Sequence, residues 1–163
     1  MTHDRSPGPP RRRRVLAHTA DVGLEARGPD LASVFEEAGL ALAELTADGP
    51  PTVLRAGPGG SGRPTRQPRA VRLAARDLVA LAYAWLNELA ATIDVEGALA
   101  TVVVTDVDEM PGGGWALTAS VGSVPFDGAS VRRRAEVKSA TYHGLAVESE
   151  AAGGWVLTAY LDV

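Results

Sequence analysis

The sequence predicts an α+β fold, a single domain with two helices packed on a mostly antiparallel sheet that ends in a C-terminal meander. Apolar residues recur at helical spacing twice, over about residues 31–46 and 77–93. The last third instead alternates apolar and polar residues in four successive runs, with Gly-rich turns at Gly112 to Gly114 and at Gly153-Gly154. A 3.6-residue period buries one stripe of a helix and a two-residue period buries one face of a strand. Laying the helices on the sheet buries both.

Each element has its own signal. Residues 1–14 hold three prolines and no apolar residue beyond Met1, and are expected to form a disordered basic tail ahead of a domain spanning 15–163. The arginines Arg11 to Arg14 read either as an RNA-phosphate contact or, more simply, as a solvated tail. From Val15 to Arg27 the chain reads as extended, with Leu24 and Ala26 alternating with Glu25 and Arg27. Asp30 follows Gly28-Pro29 and is placed to cap the first helix, whose stripe is Leu31, Val34, Phe35, Ala38, Leu42 and Leu45. Thr52 to Ala56 reads as a short strand, residues 57–69 as a flexible Gly/Pro/Arg loop, and Val71 to Ala75 as another strand. The second helix, Asp77 to Ile93, carries Leu78, Leu81, Ala82, Trp85 and Leu89 on one face. Four strands follow, at Ala98 to Val107, Trp115 to Val124, Ala135 to Glu148 and Trp155 to Val163.

Composition narrows the function. A chain of 163 residues, 45% hydrophobic and 22% charged, is an ordinary globular length and mix. A net charge of −4 argues against coating nucleic acid over a broad surface. The absence of cysteine removes disulfides, thiolate zinc sites and thiol nucleophiles. No apolar run is read as approaching the ~20 residues that span a bilayer. His18, Asp21 and Glu25 fall where a signal peptide needs an apolar core. A cytoplasmic protein, neither secreted nor membrane-bound, is expected.

The familiar enzymatic signatures are missing: there is no P-loop, no dinucleotide-binding GxGxxG, no His-Glu-x-x-His and no GxSxG elbow. Three segments stand out instead. In His18-Thr19-Ala20-Asp21-Val22-Gly23 a carboxylate, with Gly23 permitting an unusual backbone, suits a hard cation. The alternative is an Asx-turn. At Ala159 to Val163, a strand running to the last residue would fix an α-carboxylate beside Asp162, and two such anions repel unless a cation lies between them. A surface end with solvated charges is the plainer reading. In Val137 to Gly144, Lys138 is the only lysine, a compact charge that arginine does not replace.

Together HTADVGLEARG, DLASVFEEA, DLVALAYAWLNEL with IDVEG, VKSATYHGL and GGWVLTAYLDV, in this order and spacing, resemble the archease family. The resemblance implies a small accessory factor and not an enzyme. Its partner would be an RtcB-type RNA ligase, which joins a 3′-phosphate or 2′,3′-cyclic phosphate to a 5′-hydroxyl in tRNA splicing or RNA repair. The factor would promote guanylylation of the ligase and its multiple turnover, meeting RNA only through the ligase. The resemblance also implies a divalent-metal site at Asp21, Asp162 and Val163, holding calcium, or else magnesium or manganese, and it marks Lys138 as a functional lysine. His18, Thr19, Thr141, Tyr142 and His143 fall in the same motifs as supporting or contact residues, His143 more as a structural one. The basic tail, the 57–69 loop and Val124 to Arg134 depart from the family pattern, and the last is expected to face a partner. A general chaperone or modulator of another nucleic-acid enzyme is the alternative. A metal-dependent phosphoesterase fits less well, because it needs a water-activating base and more protein ligands.

Overall fold

A computed structural model of the chain describes residues 8–17, 21–48, 67–128 and 131–163. The elements run β1 (Arg12–Ala17), β2 (Asp21–Gly28), α1 (Leu31–Thr46), β3 (Ala47–Asp48), β4 (Arg69–Ala75), α2 (Leu78–Glu96), β5 (Ala98–Glu109), β6 (Trp115–Val124), β7 (Arg132–Arg133), β8 (Ser139–Ser149) and β9 (Trp155–Asp162). The two-helix, antiparallel α+β class is as the sequence predicts. The expected strand at Thr52 to Ala56 and the loop over residues 57–66 lie outside the described residues.

Both helices begin on aspartates. The Asp30 carboxylate accepts from the Ser33 amide at 2.7 Å and the Asp77 carboxylate from the Ala80 amide at 2.7 Å, satisfying amides that the first turn leaves free. Each helix then packs against both sheets, so its apolar surface extends well beyond one stripe. On α1 the buried set runs through Val34, Phe35, Ala38, Gly39, Leu40, Ala41, Leu42 and Ala43. Where α1 approaches α2 and β5 there is no room for a side chain. A Cβ on Gly39 would stand 2.8 Å from Val102 Cγ1 and 3.0 Å from Leu89 Cδ1. Trp85, fully buried, donates its indole N–H to the Phe35 carbonyl at 2.9 Å, which satisfies the one polar atom it brings inside. By length and mean hydropathy α2 is apolar enough to cross a membrane, contrary to the sequence reading, yet Leu81, Ala82, Trp85, Leu86 and Leu89 are spent on this core.

The strands form a four-stranded sheet, order β1-β2-β9-β8, a three-stranded sheet, order β4-β6-β5, and a small β3-β7 pair. The expected C-terminal meander of four strands does not form as one sheet, because β6 and β8 do not pair. Its strands are two hairpins, β5-β6 and β8-β9, belonging to different sheets. The segment between them carries β7, which pairs with β3 beyond the end of α1. There Arg133 lies over the Phe126 ring at 4.6 Å.

Arg12 to Arg14, assigned to the tail by their composition, belong to β1. What holds them is tertiary. Arg13 donates from Nη1 to Glu37 at 2.7 Å and also pairs with Glu44, while Arg11 reaches Glu36 at 2.7 Å. Glu37 is only 1% exposed and its Oε1 has no hydrogen-bond partner, with Arg11 Nη1 4.0 Å from it, so the hydrogen bond from Arg13 to the other oxygen is the main contact that makes its burial tolerable. Arg13→Ala is expected to cost about 2–3 kcal/mol by stranding that carboxylate. The melting temperature should fall by roughly 5–10 °C, read by circular dichroism. An unchanged transition would show that Glu37 does not depend on Arg13.

Candidate functional site

The site is set by the register between β2 and β9. Asp21 stands opposite Asp162, Gly23 opposite Tyr160 and Leu24 opposite Ala159. Leu24, Ala159 and Leu161 are fully buried against the helices. Since side chains alternate along a strand, Asp21 and Asp162 both project from the other, outer face. Residues directly opposed in an antiparallel pair have Cβ atoms about 4.5–5.5 Å apart, where like charges destabilise the sheet. Asp162 faces Ser139 on its other side, giving a row of Asp21, Asp162 and Ser139 across three strands. Val163, 41% exposed, follows directly.

Gly23 serves this edge differently from the expectation. Its φ is not positive; what it supplies is space, since a Cβ there would meet Leu16 Cβ at 2.9 Å and Tyr160 Cε1 at 3.2 Å. Nor does the Asp21 carboxylate bond the amide two residues on, as an Asx-turn requires; Asp21 is instead the first ladder residue of β2.

The Lys138 to Gly144 segment is pinned at three places. The Lys138 amide donates to the Asp162 carbonyl at 2.9 Å, so the lysine enters the sheet beside the paired aspartates with its side chain exposed. The Ala140 amide donates to Asn87 Oδ1 at 3.1 Å, and Asn87 is steadied by donating to the Tyr83 carbonyl at 2.9 Å. Tyr142 stacks on Tyr83 with ring centroids 4.1 Å apart and planes 12° apart. Between Thr141 and Ala146 the register shifts, and Gly144 takes φ 67° there, with a Tyr160 ring carbon 2.7 Å from where a Cβ would be. His143 is exposed, its ring centroid 6.5 Å from that of Tyr160. Asn87 and Tyr83 were missed in the sequence reading. A lone amide in an otherwise apolar helix stripe was the available signal. His18 and Thr19 lie outside the described residues.

The residues that the register lines up here carry oxygen donors, two carboxylates and the Ser139 hydroxyl, with the chain end one residue beyond Asp162. Among the described residues no three His, Cys, Asp or Glu side chains gather, so no ready-made multidentate cage is present. An all-oxygen, doubly anionic row suits a hard divalent cation better than zinc.

This is the geometry of a small two-helix α+β protein whose most distinctive polar group lies where its first and last long strands of one sheet pair. Residues 14–163 match the model of the Archease protein family (MTH1598/TM1083). The chain is 29% identical to "Protein archease" of Sulfurisphaera tokodaii over 146 residues, covering 90% of this chain and 94% of that one. It is 33% identical to "Protein archease" of Methanothermobacter thermautotrophicus over 132 residues, covering 81% and 85%. The solution structure of Methanobacterium thermoautotrophicum Protein 1598 superposes with a TM-score of 0.71 at 29% identity, covering 93% of this chain and 98% of that chain. The chain belongs to the archease family.

The opposed aspartates give a direct test. With chelator present, Asp21→Asn should raise stability by about 0.5–1 kcal/mol by removing the cross-strand repulsion, seen as a melting temperature higher by roughly 2–4 °C. A lower melting temperature would mean that Asp21 is engaged by a partner other than Asp162.

Proposed function

We propose that this protein is an accessory factor for an RtcB-type 3′-phosphate/5′-hydroxyl RNA ligase in tRNA splicing or RNA repair, promoting guanylylation of the ligase and multiple turnover. One observation carries the reading: in a chain of the archease family, the strand register sets Asp21 against Asp162, and a backbone hydrogen bond sets Lys138 beside them. In this reading Asp21, Asp162 and the Val163 end hold a divalent cation, calcium first and magnesium or manganese as substitutes. A cation held there supplies a compact positive charge directed at the partner's phosphate-bearing groups. Lys138, exposed beside Asp162, adds a second, mobile one. Asn87 and the Tyr83–Tyr142 stack hold the strand carrying Lys138, so the chain presents its charges without rearrangement.

The test is to combine the protein with the ligase of the same organism, GTP and metal, and to count ligation turnovers. Wild-type protein should convert a single-turnover ligase into a multiple-turnover one. Asp21→Ala and Asp162→Ala should lose that stimulation while keeping the fold, and Lys138→Arg should reduce it at constant charge. Extending the chain past Val163 should weaken both stimulation and calorimetric binding of calcium or manganese, whereas removing residues 1–7 should change neither. An Asp21→Ala protein that still drives multiple turnover would overturn the shared metal site. Wild-type protein without effect on the ligase would overturn the accessory role.

A further inference from the structure

The same outer sheet face carries a second polar cluster at its other end. β1 places Arg12 directly opposite Arg27 and Arg14 directly opposite Glu25. Glu25 accepts from Arg14 Nε and Nη2, each at 3.1 Å, and from Arg27 Nε at 3.2 Å, while Arg27 also pairs with Glu150. The hydrogen bond from Arg14, followed by that from Arg27, holds the Glu25 carboxyl below its ordinary pKa, so it stays ionised. Among the described residues Arg12 has neither a hydrogen-bonded nor an ion-paired partner. Three guanidiniums thus face two carboxylates, and the excess positive charge sits where two arginines oppose each other. Like charges in that register cost stability until something negative bridges them.

These residues line an open depression of about 290 Å³ made by Arg12, Arg13, Arg14, Glu25 and Arg27. The Arg13 guanidinium is turned away, committed to Glu37 and Glu44 on α1. We propose that this depression binds a phosphate group of single-stranded RNA, gripped between Arg12 and Arg27. Glu25 shows how a carboxylate is satisfied in this patch, by the Arg14 fork together with Arg27 Nε. A tetrahedral phosphate presents oxygens in several directions and accepts from the Arg12 fork and from the Nη2 that Arg27 does not use on Glu25 and Glu150. The depression opens along a sheet edge, which suits a strand's backbone better than a closed pocket for a free ion. With a net charge of −4 the attraction is local to this patch. Arg12 precedes the residues that match the family model, whereas Arg14, Glu25 and Arg27 fall within them.

The experiment uses the full chain alone and a fluorescein-labelled ten-nucleotide single-stranded RNA, followed by anisotropy over a salt series. No ligase is present, so the outcome does not depend on the accessory role proposed above. Arg12→Gln should weaken binding on the order of tenfold and reduce the slope of log K against log salt by about 0.7, the share of one phosphate contact on a single strand. Arg12→Lys should keep the slope and lose part of the affinity. Arg72→Gln, an exposed arginine on the other sheet, should change neither. Millimolar inorganic phosphate should compete with the RNA, and polyglutamate should compete much less. The proposal fails if Arg12→Gln binds as wild type, or if Arg72→Gln has an equal effect. It fails equally if polyglutamate competes as well as phosphate, or if inorganic phosphate binds and RNA does not.

Discussion

The pairing of β2 with β9 is the constraint on which the rest of the molecule depends. It joins the first and last long strands of the four-stranded sheet in unbroken register from Asp21↔Asp162 to Gly28↔Trp155. A slip of β9 by one residue would turn Leu157, Ala159 and Leu161 out of the core and Asp162 in, and a slip of β2 would do the same to Leu24, Ala26 and Asp21. The register is therefore enforced by burial of these apolar side chains, and the opposition of Asp21 to Asp162 is a cost carried by that burial. A repulsion of a fraction of a kcal/mol is small beside the burial of Leu24, Leu157 and Leu161, each contributing on the order of 1.5–3 kcal/mol. The core thus fixes two anions at a spacing they would not choose.

The helices explain why the core can bear such costs. Packed against both sheets, α1 and α2 bury most of their circumference, and the close approach at Gly39 lets Trp85, Phe35 and Val102 interlock. The same crowding creates the problem of Glu37, a carboxylate on α1 with almost no exposure. β1 solves it by bringing Arg13 across, and Glu36 is used up similarly by Arg11 and by the Val104 amide at 2.9 Å. An edge strand rich in arginine is thus tied to the helix beneath it, which also keeps that edge from offering a flat apolar ladder to another chain.

What the sequence disclosed follows from the range of the forces involved. α1 was legible because its signals are local: Asp30 as a cap and an apolar period that ends at Thr46. β6 was equally plain, since its alternation lies between a Gly turn and Pro125. The division of the C-terminal strands between two sheets was not, because alternation says which face is buried and nothing about which strand is its neighbour. Arg13 and Arg14 looked like a tail because their counter-charges lie 11 to 31 residues away, in Glu25, Glu37 and Glu44. The site was half legible. Asp21, Asp162 and Lys138 stand out as polar interruptions in apolar strands, while the hold of Asn87 on Ala140 spans 53 residues.

The two ends of the outer face of the four-stranded sheet are electrically opposite, and that asymmetry has structural causes. At one end the row Asp21, Asp162 and Ser139 is anionic and open. At the other, Arg12 and Arg14 of β1 with Arg27 of β2 exceed the carboxylates Glu25 and Glu150 by one charge. Six residues of strand separate Asp21 from Arg27, about 20 Å at the usual rise, more than twice the screening length at physiological salt. The two groups therefore do not neutralise each other through solvent, and each keeps its own appetite for a counter-charge. Leu16, Gly23 and Tyr160 fill the stretch between with close apolar contact, where no ion would sit. A partner that met this face would meet it at two separated points, one anionic and one with surplus positive charge. The rigidity of the β2–β9 ladder between them would fix the distance at which both are engaged.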